Sequence, residues 1–279
     1  MLMQTGLGTS RFEAKKARRE AGEHLWSFSS GVIHSHGTRN AYQQHVMAFI
    51  QWSRATHDVR RLDELDRRAE ELATDYLNQR LLQNCSPYTV QAERAAFRLF
   101  FSNRQLAASV QLPARKREEI TRSRKETVRE KEFQPANWQP LIKFLQATGL
   151  RRNEVRQLQI EDIVYTMMNT LEVTIKKGHG KGGRPRQVPV LPGREQDVLA
   201  IYEGRDPQER VFARIPSHLD IHALRREYAQ AYYCLLSGRE LPPATGRLKR
   251  LDYDEGAVLR VSYALGHNRK DVILRHYLR

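Results

Sequence analysis

The sequence predicts a mainly α protein with a small antiparallel β-sheet (α+β), divided into two domains. Apolar residues recur at three- and four-residue steps over most of the chain, which is the period of an α-helix. Shorter runs that are typical of β-strands flank a glycine-rich stretch near residue 180. The 279 residues, of which 40% are hydrophobic, are enough to build two ordinary cores.

The first domain is predicted over residues 34–112. It follows a loosely structured N-terminal extension, residues 1–33, in which Phe12 to Trp26 is an additional candidate helix. Pro87 after Ser86 fits a helix start, because proline is tolerated at the first helical position. The apolar spacing predicts three helices, around Tyr42–Trp52, Leu65–Leu82 and Pro87–Phe101. This domain is therefore expected to be all-helical.

A charged linker is predicted over residues 113–131. Pro113 ends the helical pattern, and the residues after it carry many Lys, Arg and Glu side chains without apolar periodicity. Two interpretations stay open with equal weight: a solvated linker, and a linker that lies along a DNA backbone. On the second interpretation Arg115, Lys116 and Arg117 contact phosphates.

The second domain is predicted over residues 132–279. Its first helix, Pro140–Thr148, is followed by Gly149, which suits a C-terminal cap. Three strands are expected, over Ile163–Tyr165, Leu171–Lys176 and Gln187–Leu191. The glycine-rich stretch 178–183 then forms the tip of a hairpin. Further helices are expected over Arg152–Leu158 and over residues 193–203, 219–236, 254–265 and 269–278.

The charge balance narrows the classes of partner. Lys and Arg number 47 against 32 Asp and Glu, a net charge of +15, which favours a polyanion and nucleic acid first. A generally basic protein without such a partner is the alternative. No apolar run reaches the roughly 18–20 residues of a membrane span, and the basic N-terminus lacks a signal core. We therefore expect a cytoplasmic, nucleoid-associated protein without a membrane partner.

Metal and nucleotide chemistry find no support in the motifs. Cys85 and Cys234 are too few for a thiolate zinc site. Gly180 and Lys181 are followed by Gly182 and then by a strand, whereas a phosphate-binding loop needs Ser or Thr and a helix there. We expect no metal and no cofactor, and we interpret the tip as a tight turn that presents Lys181 to an anion.

Four short segments carry chemistry in combination, although a single Arg or His in any of them is more often structural. They are ATGLRRNEVRQL (147–158), GKGGRPRQVPV (180–190), HALR (222–225) and LGHNRKDVILRHYL (265–278). In this order they resemble the motifs of the tyrosine recombinase, or phage-type integrase, family, over the chain from Phe133 to its end. Residues 34–112 resemble, in pattern, the SAM-like core-DNA-binding domain of that family.

The resemblance implies six catalytic positions: Arg151, Lys181, His222, Arg225, His267 and, as the nucleophile, Tyr277. Two guanidiniums would hold the nonbridging phosphate oxygens, where negative charge builds during attack. His222 would assist proton transfer from the tyrosine, His267 would orient the phosphate, and Lys181 would protonate the leaving 5′ oxygen.

The implied function is that of a site-specific DNA recombinase (integrase) of a mobile element. Such an enzyme cuts and rejoins DNA through a 3′-phosphotyrosyl intermediate, without metal or ATP, as a tetramer on two duplex recombination sites. The two domains would embrace the duplex as a clamp. The alternatives are a chromosome or plasmid dimer resolvase, a type IB topoisomerase, and a DNA-binding protein that has lost cleavage. Accessory factors are left open.

Further candidate DNA contacts lie outside the linker. Lys177 and Arg184 flank the hairpin tip, and Arg247 and Lys249 lie in a loop over residues 237–250 that contains Pro and Gly. For this loop a solvated surface is the favoured alternative.

Two features depart from the pattern of the family. His267 and Tyr277 are ten residues apart, one more than is usual. One added residue rotates a helical side chain by about 100°, so a loop or bulge is expected between them. Only Leu278 and Arg279 follow Tyr277, whereas many relatives carry a further C-terminal segment that docks on a neighbouring subunit.

Overall fold

The computed structural model describes residues 5–9, 11–22, 30–115, 133–180 and 185–279, except for the side chains of residues 11 and 12. It is mainly helical with one three-stranded antiparallel sheet, which confirms the predicted fold class. The chain divides into two compact units, Met1–Ile120 and Thr121–Arg279. None of the described helices is long and apolar enough to cross a membrane.

Several predicted residues fall outside this description. They are Lys116, Arg117, Lys181 and Arg184, together with most of the linker predicted over residues 113–131. The roles expected of them therefore stay predictions.

Helices make up the N-terminal unit: α1 (Arg11–Glu20), α2 (His36–His57), α3 (Leu62–Arg67), α4 (Ala69–Leu82) and α5 (Pro87–Phe100). The start of α5 follows the prediction, because Ser86 Oγ accepts a hydrogen bond from the Tyr88 N–H and Pro87 occupies the first turn. Phe49 of α2 is fully buried, and its ring centroid lies 4.6 Å from that of Phe97 and 5.6 Å from that of Tyr76. Helices α2, α4 and α5 thus share one aromatic core.

The structure corrects the single helix predicted over Leu65–Leu82. Arg68 separates α3 from α4, with φ −99° and ψ 14°. Its guanidinium donates to Glu64 in α3 at 3.2 Å and to Glu71 in α4 at 2.8 Å, so one side chain fastens both helix ends. Buried leucines on either side of the break stay in phase, and their spacing therefore does not reveal it.

The C-terminal unit contains the sheet and six further α-helices among the described residues. The helices are α6 (Gln139–Thr148), α7 (Arg152–Gln157), α8 (Glu195–Tyr202), α9 (Ile221–Ser237), α10 (Glu255–Ala264) and α11 (Lys270–His276). The strands are β1 (Ile163–Tyr165), β2 (Leu171–Ile175) and β3 (Arg186–Pro189), in the order β1-β2-β3.

The sheet lies against the main core of this unit. Strand β2 is central, with Val173 opposite Ile163 on one side and Val188 on the other. Its alternate residues are buried, as expected of a strand with one face covered. Strand β2 ends one residue earlier than predicted, and β3 begins one residue earlier and ends two earlier.

Gly149 fixes the approach of α6 to α9. It caps α6 in the left-handed region at φ 59°, as its position after the helix predicts. A Cβ atom there would lie 2.4 Å from Cδ1 of Tyr228, a fully buried side chain of α9. Tyr228 also donates a hydrogen bond to the Pro189 carbonyl of β3 at 2.8 Å. Tyr228 therefore connects the C-terminal end of α6 with strand β3.

We predict that Gly149→Ala lowers the free energy of unfolding by about 3 kcal/mol or more, from left-handed strain plus the clash with Tyr228. Gly238→Ala is the matched control, because Gly238 caps α9 at φ 62° and a Cβ there would meet nothing within 4 Å. The control is expected to cost about 1–2 kcal/mol, from backbone strain alone. Urea unfolding of both variants measures the difference, and equal losses would contradict the close approach at Gly149.

Candidate active site

The site forms around the C-terminal end of α10. The carbonyls of Ala264 and Leu265 are the last of this helix and have no intrahelical donor. Arg186 Nε donates to Ala264 O at 2.9 Å, while Arg151 Nη2 and Arg225 Nη2 donate to Leu265 O at 2.9 Å and 2.5 Å. The negative end of the helix dipole favours these cations. Three arginines that are distant in sequence therefore converge on one turn.

Arg151 is held by the helix that it precedes. It is the N-cap of α7, and its backbone N–H donates to Glu154 Oε2 at 2.8 Å, the side chain of the third residue of that helix. Arg151 Nη1 donates to Glu154 Oε1 at 2.9 Å. Glu154 is 1% exposed and also accepts from Arg186 Nη2 at 2.8 Å. One buried carboxylate thus fixes two guanidiniums.

The pKa of Glu154 reflects these partners. Burial by itself would raise the pKa, but the hydrogen bond and charge of Arg186, together with the N–H and charge of Arg151, lower it from 4.5 to about 2. The carboxylate is therefore ionised at neutral pH and neutralises part of the surrounding positive charge.

We predict that Glu154→Gln lowers the free energy of unfolding at pH 7 by about 3 kcal/mol. Because the folded-state pKa lies below the unfolded one, this stabilisation is present above pH 4.5 and is lost as the pH falls towards about 2. The difference between wild type and variant should therefore narrow as the pH falls from about 4.5 towards 2 in urea titrations. Glu209→Gln, which removes an exposed partner of Arg205, is the control and should show no comparable pH dependence.

Arg225 is the most enclosed of the three arginines, at 1% exposure. Besides its bond to Leu265, its Nη1 donates to the Gly149 carbonyl and its Nε donates to Tyr277 Oη at 3.2 Å. Burial, followed by the charge of Arg151, lowers its pKa to about 10. The guanidinium consequently remains protonated at neutral pH.

The turn between α10 and α11 resolves the ten-residue interval between His267 and Tyr277. Gly266 at φ 66° and Asn268 at φ 53° both adopt the left-handed region, so His267 lies in a turn outside any helix. Helix α11 then spans seven residues, and Tyr277 follows it with φ −124°. The result is a distance of 3.0 Å between His267 Nε2 and Tyr277 Oη. The expected loop is present, and it absorbs the extra residue.

His267 contacts both a guanidinium and the phenol through one ring nitrogen. Its Nε2 lies 3.2 Å from Arg151 Nη2 and 3.0 Å from Tyr277 Oη. A guanidinium only donates, so the contact with Arg151 is a hydrogen bond only when Nε2 carries no proton. In that state the single lone pair of Nε2 is shared between Arg151 and the Tyr277 hydroxyl, while Tyr277 Oη accepts from Arg225 Nε. The phenol thus lies between a potential hydrogen-bond acceptor and a cationic donor.

The structure brings together four of the six predicted catalytic residues: Arg151, Arg225, His267 and Tyr277. His222 lies one turn before Arg225 on α9 and is exposed as a residue. Partial burial of its ring, and then the charges of Arg225 and Arg151, lower its pKa, which leaves it neutral at pH 7. In this geometry His267 contacts the phenol, a position that the sequence suggested for His222.

Four predicted DNA contacts lie within the described residues, and all are exposed: Arg115, Lys177, Arg247 and Lys249. Arg115 lies 5.2 Å from the ring centroid of Tyr88. The loop over residues 237–250 is fastened by Arg279, whose guanidinium donates to Pro243 O and Gly246 O, each at 2.7 Å. Their contact with DNA stays a prediction.

One group of potential metal ligands occurs among the described residues, in the N-terminal unit. The ligand atoms of His57, Glu71 and Asp75 lie within 4.8 Å of one another. Both Glu71 oxygens already accept hydrogen bonds from Arg68, at 2.8 Å and 3.1 Å. This group is therefore satisfied as an ion pair, and we assign no metal to it.

Sequence reasoning missed two residues of the site, Glu154 and Arg186. Glu154 stands three positions after Arg151, where a capping box places Glu, but Arg151 is not the Ser or Thr that begins this pattern. Arg186 had no signal of its own, since it is one of several basic residues beside the hairpin tip.

Comparisons with known proteins address the fold. No family model matches the chain, and no curated protein matches it by sequence. The integrase of transposon Tn1549, solved in complex with transposon right end DNA, matches 97% of this chain and 95% of its own, with 12% identity and a TM-score of 0.52. The XerH site-specific recombinase, solved bound to palindromic difH substrate in a post-cleavage complex, matches 86% of this chain and 75% of its own, with 18% identity and a TM-score of 0.50.

The chain has the tyrosine recombinase fold. In this fold the four contacting side chains come from four separate segments. Arg151 lies at the start of α7 and Arg225 in the first turns of α9, while His267 lies in the turn after α10 and Tyr277 at the end of α11. The hydrogen bonds that arginines donate to the last carbonyls of α10 hold these separate segments together.

Proposed function

We propose that this protein is a site-specific DNA recombinase that cuts and rejoins DNA through a 3′-phosphotyrosyl intermediate. The observation that carries the proposal is the contact of Tyr277 Oη with both Arg225 Nε and His267 Nε2, beside Arg151. A phenol placed between an acceptor and two fixed cations suits attack on an anionic centre.

In the cleavage step Tyr277 Oη attacks the scissile phosphorus and its proton passes to His267 Nε2. The bond from phosphorus to the 5′ oxygen breaks, and that oxygen takes a proton, for which Lys181 is the expected donor. The protein is then joined to the 3′ phosphate. In rejoining, the 5′-hydroxyl of another strand attacks the same phosphorus, the bond to Tyr277 Oη breaks, and the tyrosine takes back its proton. The number of phosphodiester bonds and of protons is therefore unchanged.

Arg151 and Arg225 would hold the phosphate. A guanidinium has five N–H groups. Arg225 donates three of them to Gly149, Leu265 and Tyr277, which leaves two for a phosphate. Since the protein bonds fix the plane of each guanidinium before DNA arrives, the donors need no reorganisation during attack.

Binding to duplex DNA follows from the charge of the chain. A net charge of +15 favours phosphate contacts, with affinity that falls steeply as salt rises. Both matched structures named above contain DNA. We propose duplex recombination sites as the partner, a tetramer on two such sites as the active assembly, and a place in the cytoplasm at the nucleoid.

Two biological roles fit this chemistry. Integration of a mobile element is proposed first, because the transposon integrase matches nearly the full length of both chains. Resolution of chromosome or plasmid dimers is the second, because XerH has the higher identity, 18% against 12%. Recombination assays with two sites in direct or inverted orientation on one plasmid, and on two plasmids, distinguish them.

A nicked suicide duplex tests the cleavage step. DNA fragments that flank the gene are screened for binding, and bound fragments are nicked next to each candidate position so that cleavage releases a short strand and traps the protein. We expect a covalent adduct in EDTA and, after digestion, a DNA-linked peptide that contains Tyr277. Fragments that bind without forming an adduct would instead support a DNA-binding protein that has lost cleavage.

A further inference from the structure

Arg186 is a nearly buried arginine outside the predicted catalytic set. It is the first residue of β3, and its side chain is 10% exposed. Its Nε donates to Ala264 O at 2.9 Å, and its Nη2 donates to Glu154 Oε2 at 2.8 Å. The side chain therefore joins the edge of the sheet to the end of α10 and to the carboxylate that holds Arg151.

The surrounding backbone is shaped around this side chain. Gly266, in the turn that carries His267, has φ 66°, and a Cβ atom there would lie 3.1 Å from Cδ and 3.2 Å from Cζ of Arg186. Glycine at this position removes that crowding. Arg186 thus packs directly beneath the turn that presents the proton acceptor.

We propose that Arg186 is a positioning residue that orients Arg151 for the scissile phosphate through Glu154. This inference rests on the proposed function. Glu154 accepts from Arg151 with Oε1 and from Arg186 with Oε2, and each guanidinium also donates to a carbonyl at the end of α10. Two cations thus hold one carboxylate, and a change at Arg186 would reorient Arg151 through Glu154.

Arginine is needed here because the two bonds diverge. Nε and Nη2 lie on one rigid plane and reach two acceptors in different elements at once. A lysine keeps the positive charge but has a single nitrogen. That nitrogen can reach Ala264 O or Glu154, but it does not fix the orientation of either group. Arg186→Lys consequently isolates geometry from charge.

The test measures the single-turnover rate of adduct formation on a bound suicide duplex with the full chain. Arg186→Lys is expected to slow this rate about 10- to 100-fold, because small misplacements of a positioned group cost up to that factor. Its DNA affinity should stay within about twofold, since lysine keeps the positive charge at this position. Arg205→Lys is the matched control: Arg205 makes comparable bonds to Ile201 O, Val211 O and Glu209 outside the site, and its variant should react at nearly the wild-type rate.

A double-mutant cycle separates positioning from a structural role. If Arg186 acts through Arg151, then Arg186→Lys should cost less than about threefold when Arg151 is already lysine. An equal cost in both backgrounds, or a wild-type rate for Arg186→Lys, overturns the proposal.

Failure of the proposed function gives a different pattern. If the wild type binds DNA and forms no adduct, the recombinase proposal fails, and the same four proteins are compared by their urea unfolding midpoints. If Arg186 and Arg151 are coupled, the double variant should shift the urea midpoint by less than the sum of the shifts of the two single variants. Additive shifts would show that Arg186 and Arg151 are independent and would overturn the inference on its own.

Discussion

Replacing Tyr277 by phenylalanine is expected to slow formation of the covalent protein–DNA adduct by at least about 10⁴-fold, the scale seen when a nucleophile is removed. The substitution removes one atom, the oxygen that lies 3.0 Å from His267 Nε2 and 3.2 Å from Arg225 Nε. The ring is 8% exposed and packs in the core of the C-terminal unit, and phenylalanine preserves that packing. The free energy of unfolding should therefore change by only about 1–2 kcal/mol.

The comparison uses the nicked duplex on a denaturing gel, with DNA affinity measured in parallel. Tyr263→Phe is the control, because Tyr263 lies in α10 close in sequence but is 57% exposed. It should form the adduct at the wild-type rate. An adduct that persists in Tyr277→Phe would show that another side chain is the nucleophile, whereas an adduct missing from both wild type and variant would support a DNA-binding protein.

Much of the secondary structure was predictable because local rules decide it. Gly149 follows an apolar helix and adopts the left-handed cap that such a glycine suits. Ser86 and Pro87 start α5 as their types indicate. In each case the decisive physics, a φ value or an unsatisfied N–H group, involves residues adjacent in sequence.

The break at Arg68 was not predictable by the same route. Its cause is a pair of hydrogen bonds from one guanidinium to Glu64 and Glu71. Neither bond alters the apolar spacing on which the helix prediction depended. Charged side chains that bridge two helix ends carry no periodic signature.

The candidate site shows the same division. Arg151, Arg225, His267 and Tyr277 were identified by resemblance, and the structure brings them into contact. Their convergence depends on the unpaired carbonyls at the end of α10, which the sequence does not show as acceptors for distant arginines. Arg186 was missed for this reason, since both of its partners are far away in sequence.

The extra residue between His267 and Tyr277 shows why spacing needs structure. If the whole interval were one continuous helix, the extra residue would rotate the tyrosine by about 100° away from the histidine. The chain is helical over only Lys270–His276 of this interval, and Gly266 and Asn268 supply left-handed turns before it. The tyrosine hydroxyl therefore lies beside the histidine despite the extra residue.

Arg225→Lys is expected to have the second largest effect, a loss of about 10²–10³-fold in the rate of adduct formation. Lysine keeps the charge, but its single nitrogen cannot serve Gly149 O, Leu265 O and Tyr277 Oη together. At least one of these three acceptors then loses its hydrogen bond to residue 225, which should also lower the free energy of unfolding by about 1–3 kcal/mol.

Arg226→Lys is the control for Arg225→Lys, because it makes the same chemical change at the adjacent, partly exposed position of α9. Single-turnover rates at saturating DNA, with circular dichroism and duplex affinity to verify folding, compare the two variants. A folded Arg225→Lys protein that reacts within threefold of the wild type would contradict the role of this guanidinium. A rate loss shared equally by Arg226→Lys would point instead to a general disturbance of α9, since both variants keep the positive charge and, of the two arginines, Arg225 is the one that donates to the phenol.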